Sequence, residues 1–287
     1  MKKIIILRRK GLGNTSTKAI KAFSKHEIEI IRNDRVIPQD TDLLIRWGCT
    51  SQFPAVKTLN KASAISTIGN KFKSRKILKE AGVTIPALYE DVQNDDITYP
   101  VIVRPHHHSQ GKQLWKCDDK KSLLARLKVL RQKGTKYYVS EYVKKDAEFG
   151  VFIFDGRVTS VIEKVAKGPN ANDEVAWNVS QGTHAFQNVK WGDWDMKVCK
   201  ISLDATACFD ATFCRVDVIV KDGVPYILEL NSAHSLTSEY RQKIFANCLD
   251  YYIENGPVKN ELDFENVFTY KSIIHPAIRL NMKGKNL

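Results

Sequence analysis

The sequence predicts an α/β chain that becomes α+β in its C-terminal half, and three observations carry that expectation. Short aliphatic runs alternate with helix-length amphipathic segments over residues 1–69, the pattern of a small parallel sheet with covering helices. Two Asp-Gly pairs, Asp155-Gly156 and Asp222-Gly223, each separate apolar runs of strand length and so predict antiparallel hairpins. A length of 287 residues exceeds the roughly 150 that one core commonly organises, which points to two or three compact units.

Taken in order, residues 3–7 read as a strand that ends at Gly11-Leu12-Gly13, with Asn14 and Thr15 as caps ahead of a helix bearing Ala19, Ile20 and Phe23. The glycine pair lacks both the third glycine of a dinucleotide fingerprint and the Gly-Lys-Ser/Thr of a P-loop, so it is weak evidence for a phosphate site. Strands at 28–31 and 43–46 follow. Asn70 caps a helix carrying Phe72, Ile77, Leu78 and Ala81, with Gly82 and Pro86 as its exit. Residues 99–105 form a strand closed by proline, 106–112 a polar loop, and Leu123, Leu124, Leu127 and Leu130 recur at helical spacing behind Asp118 and Asp119. A strand at 137–141 precedes the two hairpins, which pair 151–154 with 158–162 and 213–220 with 226–230. Helices are expected over 196–209 and 238–253.

Composition excludes several classes. With 43% hydrophobic and 27% charged residues, the chain reads as globular rather than disordered or fibrous. No apolar run approaches the roughly 20 residues that cross a bilayer, and the first ten residues lack a secretory leader, so the expectation is a cytoplasmic protein without a membrane partner. Six cysteines without a Cys-x-x-Cys pair read as reduced thiols. Forty-five Lys and Arg against 32 Asp and Glu give +13, a surface suited to polyanions, anionic metabolites or nucleotide phosphates. His106, His107 and His108 lack a further ligand at zinc spacing and read as a solvated loop or phosphate contacts, while Trp177, Trp191 and Trp194 read as core cover, with the lining of an acceptor pocket as the alternative.

The second hairpin is the most informative segment. Strand alternation puts Arg215 and Asp217 on one face, and Glu229 and Asn231 on one face of the partner strand. Two carboxylates and an amide oxygen among apolar neighbours suit Mg²⁺, a hard cation that takes oxygen ligands and shares them with phosphates. The competing reading is a hairpin salt bridge of Arg215 with Asp217 or Glu229.

Arg215-Val-Asp217, the Asp-Gly turn, Tyr226-Ile-Leu-Glu229-Leu-Asn231 and the small-residue run from Ser232 together resemble the metal-binding signature of the ATP-grasp ligases. That family includes the D-alanine–D-alanine ligases and the ribosomal-protein glutamate ligases. The resemblance covers about residues 60–245. It implies the ATP-grasp fold: an N-terminal parallel-sheet domain (1–69), a lid subdomain (70–140), a C-terminal nucleotide- and metal-binding subdomain (141–255) and an extension (256–287). It also implies ATP and Mg²⁺ as cofactors, with Mn²⁺ as an alternative ion, Asp217, Glu229 and Asn231 as metal ligands, and Arg215 as the catalytic residue that stabilises a tetrahedral intermediate.

By the same resemblance, Lys71 is the first nucleotide-contacting lysine and Arg104 stands where the second lysine is expected, an always-charged fork in place of a point charge. Ser109, Gly111 and Lys112 lie in the place of the glycine-rich loop over the phosphates, although that loop here has a single glycine. Glu141, Tyr142 and Val143 match the hinge that holds adenine, Glu148 the acid that binds ribose, and Lys164 and Asn178 approach phosphate or substrate. The implied reaction joins a small-molecule or peptide carboxylate to an amine through an acyl phosphate, and the positive charge favours acidic substrates. Arg104 and the glycine-poor loop leave a second reading open, a nucleotide- or nucleic-acid-binding module without ligase activity. Monomer or homodimer is left open too.

Overall fold

Three sheets order the chain in the computed structural model, which describes residues 2–51, 57–93, 96–106, 113–168, 171, 175–177, 179 and 182–257. The first is parallel: β1 (Ile4–Arg8), β2 (Ile28–Arg32), β3 (Leu43–Trp47) and β4 (Lys57–Leu59) lie in the order β2-β1-β3-β4. Helices α1 (Thr15–Phe23) and α2 (Ala62–Gly69) complete this part. The strand and helix patterns of the sequence hold here, whereas β4 and α2 carry no strong signal: β4 is three residues long, and α2 reads Ala-Ser-Ala-Ile-Ser-Thr-Ile-Gly without a side-chain cap.

Helix α3 (Lys71–Glu80) starts where expected, because the Asn70 side chain accepts a hydrogen bond from the Lys73 N–H. The second sheet joins β5 (Leu88–Tyr89), β6 (Val101–Pro105), β7 (Trp115–Cys117) and β8 (Tyr137–Glu141) in the order β5-β8-β6-β7, with β8 and β6 antiparallel. Helix α4 (Lys120–Gln132) begins in a reciprocal cap between Asp119 and Ser122. It lays Leu123, Leu127 and Leu130 on Val101, Val103 and Val139.

The third sheet is antiparallel. It holds β9 (Ala147–Phe154), β10 (Arg157–Ala166), β11 (His184–Val189), β12 (Phe213–Lys221) and β13 (Val224–Asn231) in the order β11-β10-β9-β12-β13. Both Asp-Gly turns form: Asp155 and Gly156 (φ 49° and 72°) and Asp222 and Gly223 (φ 50° and 72°) take the left-handed backbone that a two-residue hairpin turn demands. Alternation then divides the sheet. Val151, Ile153, Val161, Val216 and Val218 face helix α5 (Met196–Ala207), while Phe152, Phe154, Ile162 and Phe213 share a core with the first sheet and helix α6 (Glu239–Asn255). All six cysteines are free thiols, five of them buried.

The first and third sheets are joined by close contacts. Gly48 (φ 66°) leaves no room for a side chain, since a Cβ there would stand 2.7 Å from the Ala233 Cβ. Ser16 Oγ accepts the Leu236 N–H at 2.9 Å. Asn60, 1% exposed and at φ 55°, donates Nδ2 to the Phe213 carbonyl (2.8 Å) and accepts the Phe213 N–H on Oδ1 (3.2 Å). Because that bond pair is buried, Asn60→Ala is expected to orphan both backbone groups and lower stability by about 2–4 kcal/mol in urea unfolding, with the denaturant slope unchanged.

Candidate functional site

The register of β12 and β13 sets the site. Arg215 faces Asn231 and Asp217 faces Glu229 across the pair, so all four side chains stand on the sheet face opposite α5. A bulge follows at Asp217/Val218, inserting Leu228 as an extra residue beside Glu229. Gly150 on β9 pairs with Asp217, and a Cβ there would press on Ile162 at 2.9 Å and on the Arg215 Cδ at 3.3 Å; the missing side chain leaves the floor beneath Arg215 open.

Arg215 pairs with Asp217: Nη2 donates to Oδ2 at 2.9 Å, and Nε lies 2.8 Å from Oδ1. The Asn231 amide donates to Asp217 Oδ2 (2.9 Å) and Glu229 Oε1 (3.1 Å) from the same nitrogen. Burial pushes the Asp217 carboxyl above its ordinary value, Arg215 opposes that rise, and the neighbouring Glu229 adds to it. Asp217 counters the burial of Arg215 and holds its guanidinium above the usual range.

This donor set fits a divalent cation. A positive group, the amide N–H, already lies between two carboxylates, and a half-turn of that amide presents its oxygen to the same gap, giving three oxygen donors. Among the described residues no group of three His, Cys, Asp or Glu side chains could hold a metal. Two carboxylates and an amide leave most of a magnesium shell to be filled by phosphate oxygens and water, the usual arrangement for this ion.

Helix α3 meets the site with two cations one turn apart. The Lys71 Nζ donates to the Leu230 carbonyl (3.1 Å) and lies 3.4 Å from Glu229 Oε2, and the Arg75 Nη2 donates to the Leu228 carbonyl (3.1 Å). They clamp the backbone on both sides of Glu229, and Arg75 takes up the extra carbonyl that the bulge exposes. Burial lowers the Arg75 pKa, with Tyr138 countering it. Arg104 at the end of β6 is near enough to act electrostatically on Arg75 and Lys145. The Lys71 N–H donates to the His106 carbonyl at 3.2 Å, and the His106 ring stacks on Phe72 at 4.6 Å, so α3 also anchors the start of the loop after β6.

Glu148, 4% exposed, does not stand free. Lys145 Nζ reaches its Oε2 at 2.6 Å and Lys164 bonds its Oε1; Lys164 also donates to the Trp177 carbonyl (2.9 Å). Burial opposes the Glu148 charge, but the two lysines outweigh it and hold the pKa below the usual carboxylate value. Burial lowers the Lys145 pKa in turn. Trp177, 5% exposed, lies under Lys145 (4.9 Å) and on the His184 ring (4.8 Å), so it borders the site as well as covering core.

The hinge residues are partly committed. The Glu141 N–H donates to the Ala87 carbonyl (2.8 Å), its Oε2 accepts the Ala87 N–H (3.1 Å), and the Tyr142 N–H donates to the Pro100 carbonyl (3.1 Å). Val143 follows between β8 and β9, half-buried. Of the residues that the sequence points to, the structure brings Lys71, Arg215, Asp217, Glu229 and Asn231 together, with Lys164 and Glu148 in electrostatic reach of Asp217 and Arg215. Ser109, Gly111, Lys112 and Asn178 lie outside the described residues. Arg75 and Lys145 were not singled out by sequence, although their spacing, four after Lys71 and three before Glu148, was a usable signal.

Comparison with known proteins follows the same geometry. A D-alanine–D-alanine ligase from Bacillus anthracis is 26% identical over 180 residues, 57% of this chain and 56% of that one, so the chain spans little more than half the length of this relative. A probable alpha-L-glutamate ligase from Legionella pneumophila is 25% identical over 218 residues, 71% of this chain and 69% of that one. A crystal structure of D-alanine–D-alanine ligase from Bacillus anthracis complexed with ATP superposes with a TM-score of 0.65 at 18% identity, covering 93% of this chain and all (100%) of that one, which shows a shared fold. Residues 68–248, which carry both the α3 clamp and the two-carboxylate corner, match the RimK-like ATP-grasp domain, and the chain belongs to that family.

Proposed function

We propose that this chain is an ATP-dependent carboxylate–amine ligase that forms an acyl phosphate and then an amide, releasing ADP and phosphate. The observation that carries this reading is the corner of Asp217, Glu229 and Asn231, with Arg215 on one carboxylate and Lys71 on the other. The nucleotide lies between the second and third sheets, and residues 1–69, 70–140 and 141–255 act as N-terminal domain, lid and metal-bearing subdomain. A Mg²⁺ held by Asp217, Glu229 and Asn231 supplies charge neutralisation on the transferring phosphoryl group.

Lys71 and Arg104 add fixed positive charge beside the phosphates, and Ser109, Gly111 and Lys112 supply hydroxyl, N–H and ammonium donors from the loop. Asn178 is a further contact to phosphate or substrate. Glu141, Tyr142 and Val143 border the adenine. Glu148 orients Lys164 toward the site by holding its ammonium, rather than presenting two free oxygens to a ribose. Arg215, aimed by its ion pair with Asp217, stabilises the oxyanion formed when the amine attacks. No protein nucleophile is required, because positioning and charge supply the catalysis. The substrates are a small-molecule or peptide acid and an amine.

Incubating the purified protein with Mg·ATP and a panel of acids and amines, and reading ADP release and product mass, tests the reaction. Turnover is expected, and Glu229→Gln and Asp217→Asn are each expected to lower kcat by about 100-fold or more. Absence of ADP release across the panel together with tight DNA or RNA binding would establish a binding module instead. Glu148 yields a separate expectation. Its pKa is lower folded than unfolded, so its stabilisation is complete above the unfolded carboxyl value of about 4.3 and fades as pH falls through the folded value. Glu148→Gln, which leaves Lys145 and Lys164 buried without an acid, is expected to cost about 3–5 kcal/mol in urea unfolding at pH 7 and to flatten the acid limb of the stability curve.

A further inference from the structure

Helix α4 carries more positive charge than its own structure uses. Residues 120–140 hold seven Lys and Arg and no Asp or Glu, in a chain whose whole excess is 13. The two acids just before the helix are spent, Asp118 on Lys116 at 2.6 Å and Asp119 on the cap. Lys120 and Lys121 stand in the first turn, where the helix end is itself positive, and Lys128 and Arg131 are like charges three residues apart. Both placements work against the helix, and all four side chains are exposed. Lys121 is in electrostatic reach of Asp119, and no ion pair is formed by Lys120, Lys128, Lys133 or Lys136 among the described residues.

These cations are gathered rather than scattered. At 3.6 residues per turn, Lys120, Lys121, Leu124, Lys128 and Arg131 fall within one arc of roughly 100°, while Ser122, Ala125 and Val129 take the other solvent flank. The stripe is about 16 Å long, the axial length of about five nucleotides along one strand of a duplex. Lys133 and Lys136, both exposed, follow just past the helix end. Helix α4 covers the sheet face of Val101, Val103 and Val139, whereas Tyr138, on the opposite face, meets Arg75 of α3 at 5.5 Å. The stripe therefore stands across the second sheet from the two-carboxylate corner, so that both are open to ligands at once.

We propose that the α4 stripe binds the phosphate backbone of a nucleic-acid duplex without reading its sequence. The residue types decide the partner. Lysine point charges on long stems suit a continuous row of phosphates, whereas protein interfaces are poor in lysine and favour the arginine fork. The arginines of α4 are engaged: Arg131 Nε donates to the Tyr137 hydroxyl at 2.9 Å, and Arg126 lies over the Trp115 ring at 4.7 Å. Among the described residues no aromatic side chain is exposed, so the helix offers no platform on which unpaired bases would stack. A bilayer is a poor match, because α4 spends its apolar stripe of Leu123, Leu127 and Leu130 on the sheet.

The test is fluorescence anisotropy of the full chain with a labelled DNA duplex of about 20 base pairs, the matching RNA duplex, the single strand and an oligoglutamate peptide, together with sedimentation on phosphatidylserine vesicles. Wild type is expected to bind a duplex with a Kd of about 1–100 µM at low salt, with a log–log salt slope of about −3 to −4, and the tighter duplex names the source. Lys121→Glu combined with Lys128→Glu should weaken duplex binding by about 10-fold or more and flatten the slope by about 2. Both acids suit the helix, one in its first turn and one three residues before Arg131, so the melting temperature should not fall. Lys18→Glu combined with Lys21→Glu, on exposed positions of α1, removes the same net charge and should change affinity by less than about 3-fold. No duplex binding by wild type, equal losses in the two double variants, or tighter binding of the single strand, the peptide or the vesicles would each overturn the proposal. ADP release should be the same in wild type and the α4 variant; a fall in it would mark a disturbed lid and overturn the separation of the two sites. Turnover without duplex binding sinks only this inference, and duplex binding without turnover sinks only the ligase reading.

Discussion

Two carboxylates facing each other across a strand pair, with little water to screen them, are the constraint around which this molecule is arranged. Asp217 and Glu229 are set opposite by the β12–β13 register, and like charges in that setting raise each other's energy. Every neighbouring group answers that repulsion. Arg215 takes Asp217, Lys71 approaches Glu229, and the Asn231 amide bridges both. The corner is therefore close to neutral yet still rich in oxygen, a state in which a hard divalent ion gains ligands without the protein having to unfold around it.

The same logic explains why α3 is so basic on its buried side. A bulge beside Glu229 frees a carbonyl, and a freed buried carbonyl needs a donor. Arg75 supplies it, while Lys71, one turn earlier, holds the carbonyl on the other side of Glu229. The helix is thus a clamp on one residue of β13. Its first N–H also holds His106, so the loop after β6 starts from a point fixed to the two-carboxylate corner.

Much of this was legible in the sequence, for physical reasons that differ between elements. Asp155-Gly156 and Asp222-Gly223 declare hairpins because few other pairs tolerate two successive left-handed residues, and once a hairpin is set its alternation fixes the shared faces of Arg215, Asp217, Glu229 and Asn231. Asn70 and Asp119 were readable as caps for the same local reason. Strand β11 was not: His-Ala-Phe-Gln-Asn-Val lies at an edge of the sheet and lacks the apolar continuity of its neighbours. Buried cations were the other blind spot. Arg75 and Arg241 look like ordinary helix-surface residues until tertiary packing covers them, and the commitment of Glu148 to two lysines depends on Lys164 arriving from another strand.

The contact of Gly48 with Ala233 has a consequence for how such a chain can diversify. The loop that leaves β13 is seated against the backbone that follows β3, at a separation that admits a hydrogen and no carbon. Any side chain at position 48 would set a carbon against Ala233 and push on the chain just after Asn231. The two sides of this seam are therefore sterically coupled: enlarging one requires the other to move back.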